Sequence, residues 1–258
     1  MSGKDSETHT KRAIHLMRKE IHRKEKCMHS SLRSIKRDLS NGLASLCELY
    51  MTDLCDEDEA EENCIRCADE AIDVDPNNPD AYLPKTSYLL MKGQVTGQDG
   101  ARSLLEKSVS LWLPGATALR LNQTPPPGFS EEMIPCYPQR TAAAKLAIEL
   151  EMWDAASEIL EGLLEEKDDV IETWYLSGVA CHLQKDVSSA RMYFENALTV
   201  AEKTPKDELS HEMMEDIREK LRTLPPKEES EDNVTDDDDD GSDDNSEDEV
   251  MDADDGDR

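Results

Sequence analysis

A self-similarity at 34 residues constrains this chain more than any other feature. Trp174, Gly178, Ala190, Phe194 and Ala197 are spaced 4, 12, 4 and 3 residues apart, and a shift of 34 residues upstream lands on Ala144, Ala156, Leu160 and Leu163. A period of that length marks helix–turn–helix units, none of which can bury its apolar face alone, so neighbours must stack. Gly178 and Ala190 let the two helices of a unit touch closely, while Trp174 and Phe194 fill the space around the contact. Residues 137–170 and 171–204 are read as two consecutive repeats. Upstream, Ala71, the Asp75-Pro76 stop and Tyr82 repeat the junction, because proline just past a helix blocks its continuation. This predicts further repeats over 45–78 and 79–113, the second stretched in its interhelix turn by GQVTGQDG, with Ala101, Leu105 and Ser108 in its second helix.

The spacing fits the tetratricopeptide signature at its tryptophan, glycine, alanine, phenylalanine and alanine positions. The expected fold is therefore an all-α tetratricopeptide-repeat superhelix with a disordered acidic C-terminal tail. Residues 43–224 form its four-repeat domain. A Pro-rich loop over 113–139 interrupts it, with six prolines that no single regular helix can accommodate. A capping helix follows, with Leu209, Met213, Ile217, Leu221 and Leu224 on one face. Residues 1–42 read as a basic, partly helical arm, where Ile14, Ile21, Met28 and Ile35 recur every seven residues. His15, His22 and His29 share that spacing, but about 10 Å of helix separates successive members, too far for one metal.

Charge decides the class of partner. The chain carries 59 Asp+Glu against 29 Lys+Arg, a net charge of -30, distributed as +6 on residues 1–40, -17 on 228–258 and -19 between them. Phosphate binding needs clustered cations, so direct sequence-specific nucleic-acid contact is not expected. The tail 225–258 has too few apolar residues to offset its ordering entropy, and its Thr235 and Ser246 stand three residues before an acid, the pattern acidophilic kinases favour. No run of about 18 apolar residues is present to span a membrane, and nothing suggests secretion, so the seven cysteines read as reduced thiols of a cytoplasmic and nuclear protein. GxxxxGK[ST], GxSxG and HExxH do not occur. Cys64 and Cys67, near Cys47 and Cys55, read as packing residues, because Cys64 falls at a small buried position of the repeat. No enzyme activity, cofactor or metal site is expected.

Tetratricopeptide arrays bind extended peptides on the concave face formed by the first helix of each hairpin. Arrays gripping chaperone carboxylate tails need Lys and Asn at the fifth and ninth positions of their first repeat and further cations later, and here those positions hold Leu49 and Asp53, Leu83 and Ser87, Thr141 and Lys145, then Tyr175 and Val179. Instead Asp53, Asp80, Glu149 and Glu172 are expected in or beside the groove with Tyr175, so the ligand should be basic.

The block from Tyr137 to Ala180 is more specific. Tyr137, Arg140, Ala144 to Leu146, Ile148 to Leu150, the acidic turn Glu166 to Asp169 and Trp174 to Gly178 resemble the assembly chaperones of large-subunit ribosomal protein four. The junction Val74 to Asn78 and the segment SVSLWLP are similar to that family too, while Lys167 and Ser177 depart from it. The resemblance implies capture of a newly made, basic ribosomal protein of the large subunit through its long Lys/Arg-rich loop, escort to the nucleus with import factors, and release at pre-ribosomes. The alternative is a general acidic tetratricopeptide adaptor or histone-type chaperone using the same groove and tail.

Overall fold

The computed structural model describes residues 3–25, 32–93, 95–205 and 211–225, all within one unit that ends at Pro225. The acidic tail and the expectation of disorder there lie outside the described residues, as do Met28, His29 and Leu209. The architecture is all-α, with eleven α-helices among the described residues: α1 (Gly3–Glu25), α2 (Leu32–Met51), α3 (Ala60–Val74), α4 (Leu83–Met91), α5 (Val95–Ser110), α6 (Leu113–Arg120), α7 (Tyr137–Glu149), α8 (Trp153–Glu166), α9 (Ile171–Leu183), α10 (Val187–Lys203) and α11 (His211–Thr223). Pairs α2–α3, α4–α5, α7–α8 and α9–α10 are the four hairpins, and α11 packs on α10 through Met214 and Ile217.

The backbone carries the period as clearly as the side chains do. Glu59, Gly93, Glu151 and Lys185 all adopt left-handed φ, between 55° and 64°, and each stands at the fifteenth position of its repeat. One left-handed residue turns the chain out of the first helix of each hairpin and into the second. A non-glycine residue in this region is uncommon. Three of the four turns hold one, so packing of the two helices fixes the turn.

Burial follows the repeat frame. Ala144, Ala156, Leu163, Ala190, Phe194 and Ala197 are fully buried, and a methyl group built on Gly178 would lie 2.5 Å from the Phe194 ring. Ala101, Leu105 and Ser108 are buried against the neighbouring hairpins, where the Ser108 hydroxyl donates to the Pro79 carbonyl at 2.8 Å. At the first junction the Asn78 amide donates to Ser40 (2.9 Å) and Asn41 (2.7 Å), the Tyr82 hydroxyl donates to the Pro76 carbonyl, and Arg37 pairs with Asp75 at 2.7 Å.

Four expectations are corrected. The boundary at residue 42 falls inside α2, and residues 3–25 are packed: Ile14 is buried and lies over Gly42, Tyr50 donates to Glu7 at 2.7 Å, and Arg18 pairs with Glu70 of α3. The first helix of the 45–78 repeat is displaced, since α2 begins at Leu32 and ends at Met51, leaving residues 52–59 as turns. GQVTGQDG does not stretch a turn, because from Val95 onward it is helix, with Gly100 allowing Leu89 of α4 to approach. The segment 113–139 is not loop throughout: α6 occupies its start, with Pro114 in the first turn where a missing N–H costs nothing, and α7 begins before its end with Pro138 in the same place.

Candidate client groove

Three successive hairpins bring their first helices to one cleft of about 730 Å³. Its floor is α2, the short 3-10 helix Pro79–Tyr82, α4 and α7, and a further wall is segment 132–136, the end of a second 3-10 helix (Glu131–Met133) and the stretch that leads from it to α7. A second cleft of about 710 Å³ lies between α1, α2 and α4. The two share Ser45, Glu48 and Ser87, so they form one groove running from α1 to the Pro-rich wall.

Two carboxylates stand in the middle of this groove. Glu48 keeps contact with water but sits within the concavity, where displaced hydration pushes its carboxyl up and the Asp80 charge pushes it further. Asp80 is half-buried and also raised, by burial, with Arg37 opposing. One Asp80 oxygen, Oδ1, is buried without a hydrogen-bond partner, while the Asp80 amide donates to Asn78 Oδ1 at 3.3 Å. The cations lining the groove are committed elsewhere, Arg37 to Asp75 and Lys145 to Glu172 at 2.5 Å. Among the described residues neither Glu48 nor Asp80 has an ion-pair partner.

The sequence-predicted acidic residues do not form one cluster. Asp80 lines the groove. Asp53 lies on the exposed turns after α2, against Gly3 of α1, because α2 ends at Met51, six residues before the position at which the first helices of the other three repeats end. Glu149 is exposed at the end of α7 and lines neither part of the groove. Glu172 touches the groove only through Lys145. The Tyr175 hydroxyl donates to Asp216 of α11 at 2.8 Å, and burial together with that carboxylate pushes its titration up to about 12. Tyr175 therefore lines a different cleft, with Glu212, Glu215, Asp216 and Glu219.

Much of the block singled out from Tyr137 onward is joinery. Tyr137 shares a hydrogen bond with Thr173 at 2.6 Å, Arg140 pairs with Glu166, and the Lys167 ammonium stands 5.0 Å from the Tyr137 ring centroid. Trp174 donates its indole N–H to the Asp168 carbonyl at 2.7 Å. Tyr137–Thr173 and Trp174–Asp168 thus join the third and fourth hairpins, while Glu166 and Lys167 of the acidic turn tie back to the third hairpin's own first helix. Cys47 and Cys64 meet in the core at 3.3 Å between sulfurs, Cys67 is buried beside them, and the Cys64 contact together with burial pushes the Cys47 thiol up. Among the described residues no group of three or more His, Cys, Asp or Glu is placed to hold a metal ion, and no helix is long and apolar enough to cross a membrane.

No family model matches the chain. It is 27% identical over 190 residues to a Schizosaccharomyces pombe protein named "Probable assembly chaperone of rpl4", covering 67% of this chain and 52% of that protein. An Emericella nidulans protein of the same name is 29% identical over 134 residues, covering 52% of this chain and 31% of that one. The chain thus spans about half the length of the first curated relative and less than a third of the second. Among solved structures, residues 1–338 of the Assembly Chaperone of RpL4 (Acl4) match with a TM-score of 0.61 at 27% identity, covering 72% of this chain and 64% of that one. In sequence and in fold, the chain is similar to the assembly chaperones of rpl4.

Proposed function

We propose that this protein is a dedicated, non-catalytic chaperone of ribosomal protein four of the large subunit, holding it from synthesis in the cytoplasm until delivery to nuclear pre-ribosomes. The observation that carries this is the pairing of similarity to the assembly chaperones of rpl4 with a groove whose central carboxylates lack cations of their own. A segment destined for ribosomal RNA is rich in Lys and Arg and self-repels until an anionic surface occupies it. The net charge of -30 supplies a long-range field toward such a client, and the groove supplies short-range contacts.

Co-expression tests the proposal. Ribosomal protein four should co-purify at one copy per chain through moderate salt, and the chain should keep it from precipitating. Recovery of a spread of histones and other basic proteins, with no preference for this client, would point to a general acidic adaptor instead.

A further inference from the structure

The run Thr124-Pro125-Pro126-Pro127 belongs neither to the groove nor to the core. It lines neither cleft, and Pro126 and Pro127 are exposed, so their rings fill no gap in the fold. Its shape is nevertheless fixed. Thr124, Pro125 and Pro126 each precede a proline, which disfavours the α region and leaves them extended. From Pro125 onward the rings also hold φ at about -65°. Residues 124–127 therefore form a left-handed polyproline helix, about 12 Å long at about 3.1 Å per residue. Both ends are pinned. Before the run, left-handed Asn122 closes α6, and the Gln123 amide donates to the Ala118 carbonyl at 2.7 Å. After it, Pro127 and Gly128, whose φ is 84°, make a type II turn in which the Phe129 amide donates to the Pro126 carbonyl at 3.1 Å, and Phe129 packs against Gly115. The turn uses Pro127 alone, so Pro125 and Pro126 serve only the straight run before it. The carbonyls of Thr124 and Pro125 accept no hydrogen bond from the described residues, and Leu121, just ahead of the run, is 53% exposed. Glu131 and Glu132, just after it, are exposed, while Arg120 of α6 and Arg140 of α7 are engaged by Glu161, Glu165 and Glu166.

We infer that residues 124–127 are a docking ridge for a second protein, one whose domain carries a groove lined by aromatic rings and rimmed by Lys or Arg. A polyproline helix leaves its carbonyls unpaired, so indole and phenol donors of such a groove bond to them while the aromatic rings pack on the prolines. Because the ridge is already held in the bound shape, little ordering entropy is left to lose on docking. Charge selects among such grooves, since exposed acids next to the run favour a cationic rim. The ridge lies outside the client groove, and the inference does not rest on the chaperone reading.

The test titrates the full chain into three purified, isotope-labelled domains that carry aromatic proline grooves with basic rims: a WW, an SH3 and an EVH1 domain. Amide signals of the aromatic groove should shift in at least one of them. A Pro125→Ala, Pro126→Ala double variant keeps the turn at Pro127 and Gly128 and the Phe129 anchor, so its melting midpoint should not fall. Its affinity for the responding domain should drop at least about tenfold, and Glu131→Lys should lower that affinity about threefold at low salt. Binding of ribosomal protein four should stay within about twofold in the double variant, because the prolines line neither cleft of the groove. No shift in any of the three domains, or shifts that the double variant retains, overturns the inference. Loss of ribosomal protein four from the double variant while the domain still binds also overturns it, by assigning the run to the client. Sedimentation of the chain by itself covers the last alternative: a dimer that dissolves in the double variant would assign the ridge to a second copy and overturn the inference likewise.

Discussion

Gly178 shows how much one hydrogen atom decides in this stack. A methyl group there would lie 2.5 Å from Phe194 Cε1, and the ring is fully buried with nowhere to move. Gly178→Ala should destabilise the protein by about 1–3 kcal/mol through overpacking, and Phe194→Ala by about 3–5 kcal/mol through the cavity it leaves. Because the smaller side chain makes room for the added methyl, the double variant should cost clearly less than the sum, and urea melts of the four proteins check this. Additive losses would show that the contact does not hold the hairpin. Trp174 is less decisive than its place in the signature suggests: it is half-buried, its ring tilted against that of Tyr193 with centroids 6.0 Å apart, so Trp174→Ala should cost less than Phe194→Ala. At the groove, Glu48 and Asp80 titrate above the ordinary carboxylate range. A carboxyl raised on folding lowers stability at neutral pH, and the deficit disappears as pH falls through its folded value. A Glu48→Gln, Asp80→Asn double variant should therefore melt higher than the unaltered chain at neutral pH, with the gap closing on mild acidification. Arg37 attracts the Asp80 carboxylate and so limits the gain, an opposition already contained in the net upward shift of Asp80.

Among the elements, α6 and the turns after it form a latch on the groove wall. Phe129 lies flat against the helix at Gly115, where an added methyl would stand 2.2 Å from the ring. Gly115→Ala should expel Phe129 and loosen residues 121–130, and limited proteolysis should then cut there faster while the hairpins stay folded. Unaltered cleavage would show that Phe129 does not anchor the turns. This latch was hidden in the sequence, because six prolines argue against one long helix but not against a short one begun by a proline. The hairpins themselves were legible, since packing requires small and large side chains at fixed spacings whatever else varies. The left-handed turns were not, for Glu59, Glu151 and Lys185 bear no mark of the conformation that tertiary packing imposes on them. Displacement of α2 had no local signal either, and it moved Asp53 out of the groove. One signal for the site was present: Glu48 occupies the tryptophan position of the first repeat, where a buried ring belongs, and an acid in such a slot marks a face turned to something other than core.

For the whole molecule, charge is divided between the folded body and the acidic stretch beyond it. Residues 228–258 hold 18 Asp+Glu and one Arg, more than half of the net -30, yet the groove carboxylates lie in the body. The two should act at different stages of capture. Charges that meet a client only at a distance raise the rate of encounter and are screened beyond a Debye length of about 8 Å at physiological salt. Charges desolvated against a client cation instead set how long the complex lasts. Deleting residues 228–258 should slow association with ribosomal protein four about tenfold at low salt, flatten its salt dependence and leave dissociation nearly unchanged. Asp80→Asn should do the reverse, speeding dissociation at every salt concentration while association stays close to that of the unaltered chain. Surface-plasmon kinetics across a salt series separates the two. If the deletion abolishes the bound state and Asp80→Asn leaves the dissociation rate unaltered, the acidic stretch holds the client and the groove is scaffold. If both variants change the same rate constant, the charge acts as one undivided field, and the separation between encounter and retention is wrong.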